Sequence, residues 1–229
     1  MRKFKIKCSA IGNIMAKPKK KEELISKTAQ TYCKKWYKEQ IYNRKEEVFN
    51  KYFDKGNIVE DNSIDFIAKY LDYDSLSKNG RSYVNEYMTG TPDLVTEDGV
   101  IEVKNSWNCF SFPLLEDKIP NINYFYQVQG YMKLTGLNKA KLIYTLMDTP
   151  ENLIEKEYHK LNYEPDTFCL DGSSDWDVFK EKYIFSNLED KYLIKIFEIS
   201  YDEKVINEII ERVEKCREYL DKLWRNNNF

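Results

Sequence analysis

Apolar and polar residues follow two different periods along this chain, and the places where the period changes mark its elements. From Glu22 to about Tyr42, Ile25, Ala29, Tyr32, Cys33, Trp36 and Tyr37 recur at helical spacing, which predicts an amphipathic helix behind the basic loop Lys17-Pro18-Lys19-Lys20-Lys21. A second helix is expected from Lys45 to Phe53, interrupted at Gly56. A third is expected from Asn57 to Leu71, with Ile58, Val59, Ile64, Ile67, Ala68 and Leu71 on its apolar side. The period then shortens. Ser82 to Met88 reads as extended, and Asp93-Leu94-Val95 and Val100-Ile101-Glu102-Val103-Lys104 read as two strands joined at Asp98-Gly99. Residues 105–122 read as loop, and Tyr124 to Thr135 as a helix stopped by Gly136. Lys141 to Met147 is an apolar strand stopped by Pro150, and Glu151 to Leu161 a helix. Residues 162–191 read as irregular and acidic, and Leu193 to Ile199 as a late strand. From Asp202 to Arg225 the stripe Ile206, Ile209, Ile210, Val213, Cys216, Leu220, Leu223 and Trp224 marks a long helix with a docking face.

Helices first, then a strand pair, a helix and a strand, predict an α/β protein. The expected architecture is a small central mixed β-sheet flanked by helices, plus a long C-terminal helix. At 229 residues the chain is expected to be one domain, 1–229, with a basic arm and helix over 1–45, a core over 50–150 and the final helix over 200–226. A chain of this size buries roughly 70% of its unfolded surface and needs no disulfide or metal to fold.

Composition narrows the chemistry. Five cysteines, Cys8, Cys33, Cys109, Cys169 and Cys216, are scattered without a Cys-x-x-Cys pair, which argues against a zinc ribbon or a disulfide framework. A reducing compartment, the cytoplasm, is the expectation. No apolar run spans a membrane, and the N-terminal residues lack the apolar stretch of a signal peptide. The single histidine, His159, reads as a surface residue and makes Ser-His-Asp or Cys-His catalysis improbable. The net charge of −2 conceals an asymmetry. Residues 1–45 carry 14 Lys and Arg against 3 Asp and Glu, whereas the rest carries 22 against 35. A basic arm on an acidic body points to a polyanionic partner for the arm, a solvated charged helix being the plain alternative.

The stretch that carries chemistry is Thr89-Gly90-Thr91-Pro92-Asp93-Leu94-Val95, followed by Glu102-Val103-Lys104. A hairpin between them sets Asp93 beside Glu102. Strand alternation puts Glu102 and Lys104 on one face with Val103 on the other. Two carboxylates and an ammonium then converge, with the Val103 carbonyl as a further oxygen. Hard oxygen donors of this kind suit Mg²⁺ or Mn²⁺ with phosphate completing the shell. Lys104 would orient or deprotonate a water, or meet the charge building on phosphorus. Acid-x-Lys alone is uninformative: Glu116-Asp117-Lys118, Glu189-Asp190-Lys191 and Asp202-Glu203-Lys204 repeat it in polar surroundings. Only Glu102 and Lys104 sit on a strand that apolar neighbours would bury, and buried charges need a partner or a metal.

Pro92-Asp93 with Glu102-Val103-Lys104 resembles the signature of the PD-(D/E)xK nucleases. Gln127 and Tyr131, in Tyr126-Gln127-Val128-Gln129-Gly130-Tyr131, resemble the Gln-x-x-x-Tyr element of the RecB-like and lambda-exonuclease-like branch. Gln-x-Gln is similar to the YqaJ-type phage recombination exonucleases. Gly56-Asn57-Ile58-Val59-Glu60 matches that branch's Gly-x-x-x-Glu element. The resemblance spans about residues 50–150. It implies a restriction-endonuclease-like core, Glu60 as a third acidic metal ligand, and Gln127 and Tyr131 as catalytic-site residues. It further implies hydrolysis of double-stranded DNA from its ends to leave 5′ phosphates, a ring-shaped homo-oligomer and a single-strand annealing protein as partner. Ser9-Ala10-Ile11-Gly12 is similar to the family's DNA-end-contacting segment, which makes Ser9 a candidate contact. Lys19, Lys20, Lys21, Lys34, Lys35 and Lys38 are candidate phosphate contacts. Trp36 and Tyr37 are candidates for base stacking or core packing, Trp107 for a wedge at a duplex end or for packing, and Glu86 for an alternate acidic ligand. The competing readings are a non-catalytic DNA-binding or assembly protein that keeps the fold, and a site-specific endonuclease.

Overall fold

Capped amphipathic helices lead into two small sheets in the computed structural model, which describes residues 3–46, 50–162 and 175–226. A strand β1 (Ile6–Lys7) passes through a 3-10 turn (Cys8–Ala10) into the short helix α1 (Gly12–Met15), followed by α2 (Lys27–Tyr42) and α3 (Lys51–Tyr70). α2 begins at Lys27 and not at Glu22 because Ser26 caps it, its hydroxyl accepting the Ala29 N–H at 3.2 Å.

The interruption expected at Gly56 does not occur. α3 runs through it from a cap at Asn50, whose side chain accepts the Tyr52 N–H at 2.9 Å. The buried face of Val59, Ser63, Ile64 and Ile67 outweighs what one interior glycine costs a helix. Of the helix expected over 45–53, Lys45 and Glu46 are not helical and 47–49 lie outside the described residues.

The extended stretch is a short hairpin, β2 (Tyr83–Val84) and β3 (Met88–Gly90), and β1 adds to β3 in parallel to give the order β1-β3-β2. The chemistry-bearing hairpin forms as expected from β4 (Leu94–Thr96) and β5 (Gly99–Asn105), with Leu94 opposite Ile101. Glu97 and Asp98 make its turn. Gly99 takes a φ of 149°, and a Cβ there would meet the Lys139 carbonyl at 2.3 Å. α4 (Ile122–Thr135) ends at Gly136, which is left-handed at φ 76°. β6 (Lys139–Thr145) then pairs parallel to β5. After α5 (Glu151–Asn162) and α6 (Asp175–Glu181), β7 (Ile194–Ser200) pairs antiparallel to β6, and α7 (Glu203–Asn226) closes the chain. The second sheet is thus β4-β5-β6-β7, so two small mixed sheets stand where one was expected. α6 lies within the stretch expected to be irregular; residues 163–174 of that stretch, Cys169 among them, lie outside the described residues.

Alternation along β5 divides the core. Ile101 and Val103 face Ile64 and Ile67 of α3, while Val100 faces Val128 and Met132 of α4 and the N-terminal Phe4, Ile6, Cys8 and Ile11. The α7 residues Ile206, Ile209, Val213, Cys216 and Leu220 join that second cluster, so most of the expected docking stripe is buried, while Ile210 and Leu223 are half-buried and Trp224 is exposed. Among the described residues no helix is long and apolar enough to cross a membrane.

Candidate active site

Continued by one residue, the β4–β5 register sets Asp93 across from Glu102. The Asp93 carboxylate accepts the Val103 N–H at 2.8 Å. Glu102 is 2% exposed. Its Oε1 accepts from Lys104 Nζ at 2.5 Å and from Gln127 Nε2 at 2.5 Å, and Gln127 also donates to the Tyr131 hydroxyl at 3.0 Å. Gln127 and Tyr131 lie one turn apart on α4, on the side that covers β5. The structure therefore brings together Asp93, Glu102, Lys104, Gln127 and Tyr131.

The electrostatics of this cluster are strained. Burial pushes Glu102 up to about 8, with Asp93 adding to the rise and Lys104 opposing it. Burial also raises Asp93, against the pull of Lys104 and of the Val103 N–H. For Lys104 burial alone would lower the pKa, but the two carboxylates outweigh it and hold the amine above its ordinary value. Lys104 stays protonated, and once Glu102 gives up its proton the two carboxylates carry one negative charge more than the ammonium offsets. Glu102 Oε2 is buried without a hydrogen-bond donor. The N–H and C=O of one strand residue point to the same edge. The Val103 carbonyl thus faces the Asp93 side, where the continued register places Pro92, a residue with no N–H to offer. Asp93, the free Glu102 oxygen and this carbonyl are hard oxygen donors that fit a divalent cation.

Glu60 lies on α3 near enough for its charge to raise Asp93, but its carboxylate is turned onto Lys78 at 2.5 Å. Among the described residues no group of three or more His, Cys, Asp or Glu side chains is drawn together around a metal position. Lys78 was not singled out from sequence and carries no motif that would mark it. It arrives because Asn79 docks its segment onto the Pro-Asp step, donating to the Pro92 carbonyl at 2.9 Å and, through its N–H, to the Asp93 carbonyl at 2.7 Å. Tyr124 was also missed. Lys104 Nζ sits 4.7 Å from the centre of its ring. Its position three residues before Gln127, on the same helix face, is the signal that marks it.

Cys8 packs beneath the site. A Cβ on Gly130 would stand 2.8 Å from its sulfur, and one on Gly90 2.9 Å from it. Burial raises the Cys8 thiol, and the charge of Glu102 adds to the rise. Ser9, the next residue, is exposed on the 3-10 turn. Gln129 does not face the site. It donates to the Ser200 carbonyl at 2.8 Å and accepts the Asp202 N–H at 2.9 Å, joining β7 to α7.

For residues with two readings the structure decides between them, and packing prevails over DNA contact for Trp36, Tyr37 and Trp107. Trp107 is 4% exposed, packed edge-on against Tyr52 and Tyr183 with Lys51 Nζ 4.8 Å from its ring, so it is not a surface wedge. Glu86 pairs with Lys3 at 2.6 Å and is no ligand in this arrangement. Tyr37 is buried and Trp36 packs on Phe4, so both belong to the core. Lys19, Lys20 and Lys21 are exposed in the loop before α2. Lys34, Lys35 and Lys38 line a shallow cavity of about 610 Å³ with Tyr42, Arg44 and Lys45, on a helix that packs against α1 and α7. Lys35 also pairs with Glu46. His159 is exposed on α5, as expected. Of the acid-x-Lys repeats, Asp202 serves as a helix cap, accepting the Lys204 N–H at 2.9 Å, and Glu189 pairs with Lys191 at 2.7 Å.

No family model matches the chain, and no curated protein matches it. Solved structures do. A phage-related exonuclease from Haemophilus somnus 129PT superposes with a TM-score of 0.80 at 26% identity, over 98% of this chain and 97% of that one. The alkaline exonuclease LHK-Exo from Laribacter hongkongensis superposes with a TM-score of 0.62 at 17% identity, over 98% and 93%. Its complex with dAMP gives the same TM-score at 16% identity. In motif and in fold, the chain resembles the PD-(D/E)xK nucleases of the lambda-exonuclease-like, YqaJ-type branch.

Proposed function

We propose that this protein is a divalent-metal-dependent nuclease that hydrolyses phosphodiester bonds of double-stranded DNA from its ends. The observation that carries the reading is Glu102: one oxygen is held by Lys104 and Gln127, and the other is buried, donorless and beside a second carboxylate. A buried acid pair of this kind is costly unless a cation completes it. The likeness to the phage-related exonuclease supports the same class of activity.

Asp93, Glu102 and the Val103 carbonyl would hold the cation, with Glu60 joining once it leaves Lys78. A bound Mg²⁺ or Mn²⁺ would supply charge neutralisation at the phosphate and a more acidic water. Gln127 fixes the Glu102 carboxylate, and Tyr131 fixes Gln127 in turn. Because both carboxylates keep Lys104 protonated, its part is to orient the attacking water and to stabilise the charge building on phosphorus. Tyr124, against the Lys104 ammonium, limits where that charge points. Ser9 and the basic arm would meet the DNA, and assembly into a ring with an annealing protein as partner belongs to the same proposal.

The test compares linear with closed circular plasmid, with Mg²⁺ and with chelator. Degradation of the linear form alone, abolished by chelator, is expected. Lys104→Ala and Glu102→Gln should each lower the rate by at least about a hundredfold. A Lys104→Ala protein that digests DNA at the unaltered rate overturns the assignment. Cutting of closed circles would make it an endonuclease, and binding without any metal-dependent cutting a DNA-binding module.

A further inference from the structure

Two lysines flank the acid cluster, and the structure holds them differently. Lys104 bonds Glu102 from within, its side chain 23% exposed and its ammonium 4.7 Å from the centre of the Tyr124 ring. Lys78 bonds Glu60 from outside at 2.5 Å, with its side chain 53% exposed. Among the described residues no second side chain bonds its Nζ. The charge of Asp93 reaches Lys78, and the charge of Glu60 reaches Asp93, so the three groups share one locale. The backbone beneath Lys78 is fixed on both sides. Two residues before it, Leu76 packs on the cluster that Ile64, Ile67 and Ile101 form between α3 and β5. One residue after it, Asn79 is bonded to the Pro92 and Asp93 carbonyls, and its Oδ1 accepts the Arg81 N–H at 3.1 Å. Lys78 thus combines a rigid root with an ammonium that swings on a flexible four-carbon stem.

An ion pair with one partner this exposed contributes little to the fold, so stability does not account for its position. Its effect falls on the acids. In the metal-free protein, Lys78 offsets part of the negative charge that Glu60 sets beside Asp93. Toward a divalent cation on Asp93, Glu102 and the Val103 carbonyl, both charges would change sides: Glu60 is drawn in and the Lys78 ammonium is pushed off. With its root fixed beside Asp93, the released ammonium has one strong partner left in the site, an oxygen of the phosphate that the same cation attracts. Lys104 is not free to make this exchange, because Glu102 and the Tyr124 ring enclose it.

We propose that Lys78 is an exchangeable internal cation: it holds Glu60 in the metal-free protein and passes to a substrate phosphate oxygen when a divalent cation takes Glu60, so that metal and phosphate each strengthen the other's binding. The strengthening is reciprocal by thermodynamic linkage. The inference rests on the nuclease reading above and adds to it a residue that no motif marks.

The experiment titrates Mn²⁺ alone into the full, metal-stripped chain by calorimetry. A nucleoside 5′-monophosphate, which has no phosphodiester bond to cut, is then titrated at saturating Mn²⁺. Lys78→Gln should bind Mn²⁺ about fivefold more tightly than wild type, the upper worth of one exposed ion pair. In a Glu60→Gln background the same replacement should leave Mn²⁺ affinity unchanged, since Lys78 then has no carboxylate to hold. At saturating Mn²⁺, Lys78→Gln should bind the nucleotide more weakly by a similar factor. Equal Mn²⁺ affinity in wild type and Lys78→Gln, where wild type still degrades linear DNA with Mg²⁺, overturns this inference and leaves the nuclease reading standing. A gain that survives in full in the Glu60→Gln background overturns it too, because Lys78 would then act only as a distant charge. So does a nucleotide affinity that Lys78→Gln leaves unaltered. If wild type neither binds Mn²⁺ nor degrades DNA, both readings fall.

Discussion

Burial and the charge of Lys104 pull Glu102 in opposite directions, and burial prevails: its pKa rises to about 8, well above the usual carboxylate range. Without a divalent cation, the folded chain keeps a proton there across a window in which the unfolded chain has lost it. The stability tied to that proton is complete below pH 4.5 and disappears as pH climbs through about 8. Thermal unfolding of metal-stripped protein should therefore show wild type losing stability over that window relative to Glu102→Gln, which cannot titrate. Parallel curves would refute the buried-acid account. Added Mn²⁺ should stabilise wild type more as pH rises through the same window, because a bound cation must displace the proton. Lys55 shows the opposite sign. It is fully buried, and burial lowers it to about 7 while Asp148 pulls it upward. Between about 7 and 10.5 the unfolded chain binds a proton that the folded chain does not, so stability falls as pH descends through that range. Lys55→Met should flatten this slope in thermal melts compared at the two ends of the range. Gln127→Leu should cut nuclease activity about 10- to 100-fold with little change in melting temperature, since it leaves Lys104 as the one remaining donor that orients Glu102 Oε1 and leaves the fold's core intact.

At the scale of elements, Gly56 and Gly130 separate what local pattern reveals from what it hides. Gly56 looks like a break in the sequence, yet α3 runs through it and an added Cβ there would meet nothing within 4 Å. Gly56→Ala should stabilise the protein by about 0.5–1 kcal/mol in chemical denaturation. Gly130 looks unremarkable inside α4, yet a Cβ would come within 2.7 Å of Ile11 Cδ1 and 2.8 Å of the Cys8 sulfur. Gly130→Ala should destabilise by about 1–3 kcal/mol and lower activity as well, because the push falls between Gln127 and Tyr131. The β4–β5 hairpin was legible because alternation and a glycine turn are local signals. β1 was not, since two residues carry no period and only pairing with β3 makes them a strand. Trp107 and Phe110 were not separable either. Both are large apolar residues in one loop, and only the packing of Tyr52 and Tyr183 decides which is buried.

Across the whole molecule, charge is divided between a basic N-terminal arm and an acidic remainder, so any contact with DNA must be local. If Lys34, Lys35 and Lys38 each meet a phosphate, replacing all three with Gln should reduce the slope of log affinity against log salt by about 2 to 3. A slope unchanged by the triple replacement would take the DNA path away from the α2 cavity. The proposed catalytic trio could be read from the chain because Asp93 precedes one strand of a hairpin and Glu102 and Lys104 lie on the other, where spacing alone dictates geometry. Gln127 and Tyr131 were reached through motif resemblance, and the helix period then put them on one face. Tyr124, Lys78 and Cys8 come to the site from separate parts of the chain. Their placement follows from the docking of α3, α4 and the N-terminal segment around β5. Side-chain direction within a strand or helix is a property of the backbone's own period, whereas long-range neighbours depend on how buried faces pack. Packing is a sum over contacts that no short stretch of sequence contains.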